Sequence, residues 1–168
     1  MPGFAEGSAT HSAARAISGD GRVVVGLSSR SHLGDLQSRA FKWTHPDSME
    51  TLQGPDDGFS EAHGVNRDGS VIVGQSWRPR SGVHHAFRWT QAGGTMRALP
   101  ELAGSIFIRA LGASDDGDIV VGYSTVSKPR PGSRERLFVF RASAVRQAGS
   151  PGFHCSLLPV VVFNGLIG

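Results

Sequence analysis

Apolar and polar positions alternate along this chain in short bursts rather than over long stretches. In Ala14 to Ser18, Arg22 to Ser28, Arg39 to Thr44 and Met49 to Leu52, runs rich in Val, Ile, Phe and Trp are divided by Gly, Pro, Asp and Ser. That pattern predicts four short strands. The unit then repeats. "SGDGRVVVGLS" at Ser18 to Ser28 returns as "NRDGSVIVGQS" at Asn66 to Ser76 and as "SDDGDIVVGYS" at Ser114 to Ser124, so the Asp-Gly pairs at Asp20, Asp68 and Asp116 are spaced 48 residues apart. "RAFKWT" at Arg39 to Thr44 and "HAFRWT" at His85 to Thr90 are near copies, and "RLFVFR" at Arg136 to Arg141 is a more divergent third. A Met-x-x-Leu segment follows the first two, at Met49 to Leu52 and Met96 to Leu99, with no counterpart in the third. No apolar period of 3.6 residues lasts long enough to make a helix. The chain reads as all-β.

The eleven repeated residues predict a hairpin. Ser18, Asn66 and Ser114 can bond a backbone amide two residues on, and Gly21, Gly69 and Gly117 tolerate positive φ, which is the chemistry of a type I turn closed by a glycine bulge. Asp20, Asp68 and Asp116 are accordingly read as turn residues, not as catalytic carboxylates or Ca²⁺ ligands. In the third strand, alternation sets Phe41 with Trp43 on one face and Phe87 with Trp89 on the equivalent face, with Ala40, Lys42 and Thr44 opposite. One side of each unit must therefore be buried, most economically against the next unit. Four-stranded sheets of this length that stack on their neighbours are the blades of a β-propeller. The expected fold is a propeller-like array of three blades over residues 1–141, with repeats at about 13–52, 61–99 and 108–141, followed by a non-repeat tail at 142–168.

At this point the residues carry a resemblance. The order "A-x-A-I-S-x-D-G-x-V-V-V-G-x-S", then His85-Ala86-Phe87, then Met-x-x-Leu resembles the HAF repeat over about Ala13 to Arg141, with Arg39 standing for His in the first unit and Arg136-Leu137-Phe138 in the third. The resemblance implies a bacterial, extracellular repeat protein, often part of a larger secreted or surface polypeptide, with no established biochemical activity, and it supplies no catalytic residue.

Composition narrows the chemistry. A formal charge of +3 carried almost wholly by arginine is too small and too scattered to predict a nucleic-acid partner. The single cysteine, Cys155, excludes an intrachain disulfide and any multi-cysteine metal site, and is read as an unreactive thiol despite neighbouring His154. The N-terminus has no signal-peptide pattern, and the apolar run Ser156 to Gly168 is too short to span a bilayer and is broken by Pro159 and Gly165. His84 and His85 are adjacent in a strand and so point to opposite faces, which argues against shared chelation. No nucleotide or hydrolase signature is present, so no cofactor and no metal are expected. Paired acids such as Asp56-Asp57 and Asp115-Asp116 leave a propeller hydrolase of polysaccharide as the alternative reading.

A site should draw on positions that differ between repeats. Those positions cluster in the connections between second and third strands: Ser29 to Ser38, Ser76 to His84 and Thr125 to Arg136. All three lie on one face, opposite the Asp-Gly turns, and bring Arg30, Trp77, Arg78, Arg80, Lys128, Arg130 and Arg134 to it. Of these, Trp77, Arg78, Arg80, Lys128, Arg130 and Arg134 are the candidate ligand-binding residues, for an anionic glycan or protein. The chain reads as starting inside a repeat, which marks it as a fragment of a longer protein or as one that closes a ring with a second copy through its exposed blade faces.

Overall fold

A computed structural model describes residues 9–32, 35–52, 54, 58–78, 82–101, 103–126 and 134–141. Arg80, Lys128, Arg130, Cys155 and the tail at 142–168 lie outside them, as do the side chains of Arg30 and Arg134. The described residues form eleven strands and no helix. The first sheet runs β1 (Ala9–Ile17), β2 (Val23–His32), β3 (Asp35–Thr44), β4 (Ser48–Thr51), and the second β5 (Phe59–Val65), β6 (Val71–Trp77), β7 (His84–Thr90), β8 (Met96–Ala98). The third holds β9 (Ser105–Ala113), β10 (Ile119–Val126) and β11 (Arg134–Arg141). Every neighbouring pair is antiparallel and consecutive in the chain, so each sheet is an up-and-down meander. The third sheet has three strands among the described residues, in keeping with its lack of a Met-x-x-Leu segment.

Each first hairpin closes the same way. Gly21, Gly69 and Gly117 have φ of 73°, 75° and 73°, and their amides donate to the carbonyls of Ser18, Asn66 and Ser114 at 2.9, 3.3 and 2.8 Å. The side chain of the same residue also reaches forward: the Val23 amide donates to Ser18 Oγ, the Val71 amide to Asn66 Oδ1 and the Ile119 amide to Ser114 Oγ, all at 2.8 to 2.9 Å. Asp20, Asp68 and Asp116 accept the amide two residues on at 3.0 Å. These bonds, led by that of the Ser18 hydroxyl, hold the Asp20 carboxyl below the usual range; Asp68 is lowered likewise, with Ser70 its main partner.

The sheets stack through their turns and faces. The seam between the first two sheets buries Val23, Val25, Ala40 and Leu52 against Ala62, Ile72, Phe87, Trp89 and Met96. The seam between the last two buries Val71, Val73, Ala86 and Leu99 against Ile108, Ala110, Val120 and Phe140. The middle sheet is thus covered on both sides, and the expectation of one buried face per unit is corrected. Lys42, placed by alternation opposite Phe41 and Trp43, is itself buried in the first seam, with Nζ 5.0 Å from the Trp89 ring centroid, bonded to Gln91 and 3.5 Å from Glu50. Its long stem packs while its charge finds a ring and two oxygens.

All three expected connections are shorter than the pattern implied, the second because β6 runs through Trp77 and β7 begins at His84. β2 continues to His32 and β3 begins at Asp35; β10 continues to Val126 and β11 begins at Arg134. Strand pairing is sustained by backbone hydrogen bonds, so it runs on through the polar residues Ser29 to Ser31 and Ser38 that had marked a loop. Arg30 and Arg134 therefore lie in strands.

Candidate functional site

The end of the stack opposite the Asp-Gly turns is where the repeats differ most. Trp77 at the end of β6 pairs with Phe59 at the start of β5 and with His84 at the start of β7. Its ring lies between theirs, near parallel to both, with centroid separations of 5.3 Å to Phe59 and 5.1 Å to His84. From His84 the row crosses the second seam to Phe107 at 4.5 Å, and from there to Tyr123 at 5.9 Å. Arg109 lies over this far end, 5.2 Å from the Phe107 ring and 5.9 Å from that of Tyr123. Five rings and one guanidinium thus bind two sheets together. Trp77, expected in a connection, ends strand β6, and its ring stacks on Phe59 and on His84. His84 and His85 diverge, His84 into this row and His85 Nδ1 to Glu101 at 2.9 Å.

Beside the row, strands β5, β6 and β9 carry a polar chain. Arg109 Nε donates to Gln75 Oε1 at 3.0 Å, Gln75 Nε2 donates to Glu61 Oε2 at 3.2 Å, and the same oxygen is 3.6 Å from His63 Nε2. Gln75 is buried, and His63 Nε2 and His84 Nδ1 are buried with no hydrogen-bond partner among the described residues. Burial, then the charges of Arg109 and Arg15, push His63 down to about 4, so it is neutral at pH 7. Burial also lowers His84, with Arg109 adding to it.

A cleft of about 570 Å³ opens between the first two sheets at this end. It is lined by Phe59, Trp77, Val83 and Ala98 together with Arg39, Arg78, His85 and Glu101. Arg39 is fixed by a 2.6 Å bond from its guanidinium to the Gly58 carbonyl. Of the six sequence candidates, Trp77 and Arg78 stand together at this cleft. Arg80, Lys128 and Arg130 are outside the described residues, and for Arg134 only the backbone is described.

Sequence reasoning passed over Phe59, Glu61, Gln75, Phe107, Arg109 and Tyr123. A signal for them exists. Ala13, Glu61 and Arg109 are equivalent in the three repeats, as are Leu27, Gln75 and Tyr123, so these positions differ between units while lying inside strands rather than loops.

A TolB from Agrobacterium tumefaciens matches with a TM-score of 0.52 at 19% identity, over 80% of this chain and 44% of its own. A TolB from Acinetobacter baumannii matches with a TM-score of 0.49 at 20% identity, over 78% of this chain and 30% of its own. The array is β-propeller-like. Each sheet is a blade, and the chain spans less than half the length of either protein. No protein-family model matches the chain, and none of the curated proteins does.

Proposed function

We propose that this chain is a non-catalytic binding module of an extracellular or cell-surface protein, and that its ligand is an acidic polysaccharide held at the end of the blades opposite the Asp-Gly turns. The observation that carries the reading is the cleft between the first two blades, which Phe59 and Trp77 line together with Arg39 and Arg78. A uronic acid presents matching surfaces, C–H groups on one side of the ring and a carboxylate at its rim, and arginine meets a carboxylate with two parallel hydrogen bonds. The repeat resemblance supports the extracellular placement.

The test is calorimetric titration with an acidic oligosaccharide and with a neutral one of equal length. The acidic chain is expected to bind, with affinity that falls as salt rises, and Arg78→Ala to weaken it by roughly tenfold, the loss of one charge-assisted contact. Equal binding of the neutral chain refutes the reading. Binding of an acidic peptide in place of the saccharide moves the ligand to protein, and cleavage products in the cell would favour the hydrolase.

A further inference from the structure

The two seams repeat one pattern. Val23 and Val25 of the first blade, like Val71 and Val73 of the second, face the blade that follows. Ile72 with Trp89, like Val120 with Phe140, faces the blade that precedes. Gly69 and Gly117 seat the turn of each following blade on the one before: a Cβ on Gly69 would lie 2.3 Å from Val23 Cγ2, and one on Gly117 would lie 2.4 Å from Val71 Cγ2.

Two faces of these same kinds have no blade against them among the described residues. On the third blade Ile119 and Val121 hold the positions of Val23 and Val25, and are 40% and 44% exposed where Val23 and Val25 are 4% and 0%. Val139, 39% exposed, stands where the first two blades have Lys42 and Arg88. Those two bases reach across their seams, Lys42 to Gln91 and Arg88 to the Gly117 carbonyl, whereas valine leaves the third blade's outer face apolar at that point. On the first blade Val24, Trp43 and Met49 hold the positions of Ile72, Trp89 and Met96, and are only partly buried where those three are fully so. Ile17 beside them is 61% exposed, and a Cβ on Gly21 would meet nothing within 4 Å.

We propose that these two faces bind each other between two copies of this chain, head to tail, the outer face of one third blade receiving the outer face of the partner's first blade. The occupant follows from continuity with the internal seams: each free face is the repeat-equivalent of one that already packs against the other kind, and Gly21 is open to seat on Ile119 as Gly69 seats on Val23. Two such contacts join two copies into a ring of six blades, within the four to eight that close a propeller, and leave neither apolar face in water.

Sedimentation velocity across the micromolar range tests this. The chain is expected to run as a discrete dimer, with Trp43 emission shifting to the blue as concentration rises. Val121→Glu and Trp43→Glu each place a carboxylate on one of the two faces, and each is expected to give a monomer. A mixture of the two variants retains one sound contact and is expected to associate again, which also shows that both fold. A native chain that stays monomeric overturns the proposal and leaves the two faces to further blades of a longer polypeptide. A dimer indifferent to both substitutions, or a mixture with no recovery, excludes the head-to-tail contact, and open-ended chains of copies exclude the ring.

Discussion

At the scale of single residues, the three turn glycines look alike in sequence and differ in surroundings. All three adopt φ of 73° to 75°, so an alanine at any of them meets the same backbone strain, about 1 kcal/mol. Gly69 and Gly117 meet more, because an added Cβ enters the valine of the preceding blade, while Gly21 has open space. Gly21→Ala is therefore expected to cost about 1 kcal/mol, and Gly69→Ala and Gly117→Ala roughly 2 to 4 kcal/mol, since an overpacked seam adds its own strain. Chemical denaturation of the three variants at equal, dilute concentration reads the difference, and equal losses contradict it. The exposed pair Arg67 and Asp115, 3.5 Å apart across the second seam, adds little beside this, because both partners are well solvated.

At the scale of the element, the first strands of the blades carry the unusual chemistry. β5 bulges between Ala62 and Gly64, and the residue at the bulge is His63. Its neighbours are Glu61 at 3.6 Å on its own strand, Arg15 on β1 and Arg109 on β9; burial with the two arginines outweighs the carboxylate and lowers His63 to about 4. A group lowered in this way binds its proton more readily when the chain is unfolded. Its contribution to stability is complete above the unfolded value of 6.5 and is lost as pH falls from 6.5 toward 4. Stability is expected to drop by on the order of 2 kcal/mol across that window, allowing for solvent screening, and His63→Gln to flatten that part of the profile. Thermal melts of both proteins at pH 7 and pH 4.5 measure it; parallel profiles would remove His63 as the cause. The β6 strand shows the complementary constraint. A Cβ on Gly74 would lie 2.0 Å from the Glu61 carbonyl oxygen and 2.9 Å from the Phe87 ring, so the glycine of the Val-Gly-x-Ser segment is where ring and neighbouring backbone close on each other.

At the scale of the whole molecule, the second blade is the one packed on both sides among the described residues. Stability of such an array is close to a sum of unit and nearest-neighbour terms. Phe87 is fully buried in the first seam and Phe140 in the second. Truncation of either to alanine removes about 3 to 5 kcal/mol of packing, with different reach. Phe140→Ala is expected to lower amide-exchange protection in β9 to β11 and to spare β1 to β8. Phe87→Ala, in the central blade, is expected to lower it in all three sheets. Uniform loss in the Phe140→Ala protein would show that the stack unfolds as one unit.

Local chemistry is legible in the residues alone. Ser-x-Asp-Gly sets a turn through bonds spanning two to five residues, β-branched runs set the strands, and the 48-residue spacing sets the count of blades. What lies against what depends on how the blades pack. Alternation divides a strand into two faces but does not say that a stacked sheet buries both, which is why Lys42 reads as an outward residue and is found over Trp89. Phe59, Trp77, His84, Phe107 and Tyr123 belong to five different strands, and the row they form depends on strand pairing and on the stagger between blades. Arg39 and Trp77 meet at one cleft for the same reason. Contacts between residues dozens of positions apart are fixed by how twisted sheets stack, and no pattern within one repeat encodes that geometry.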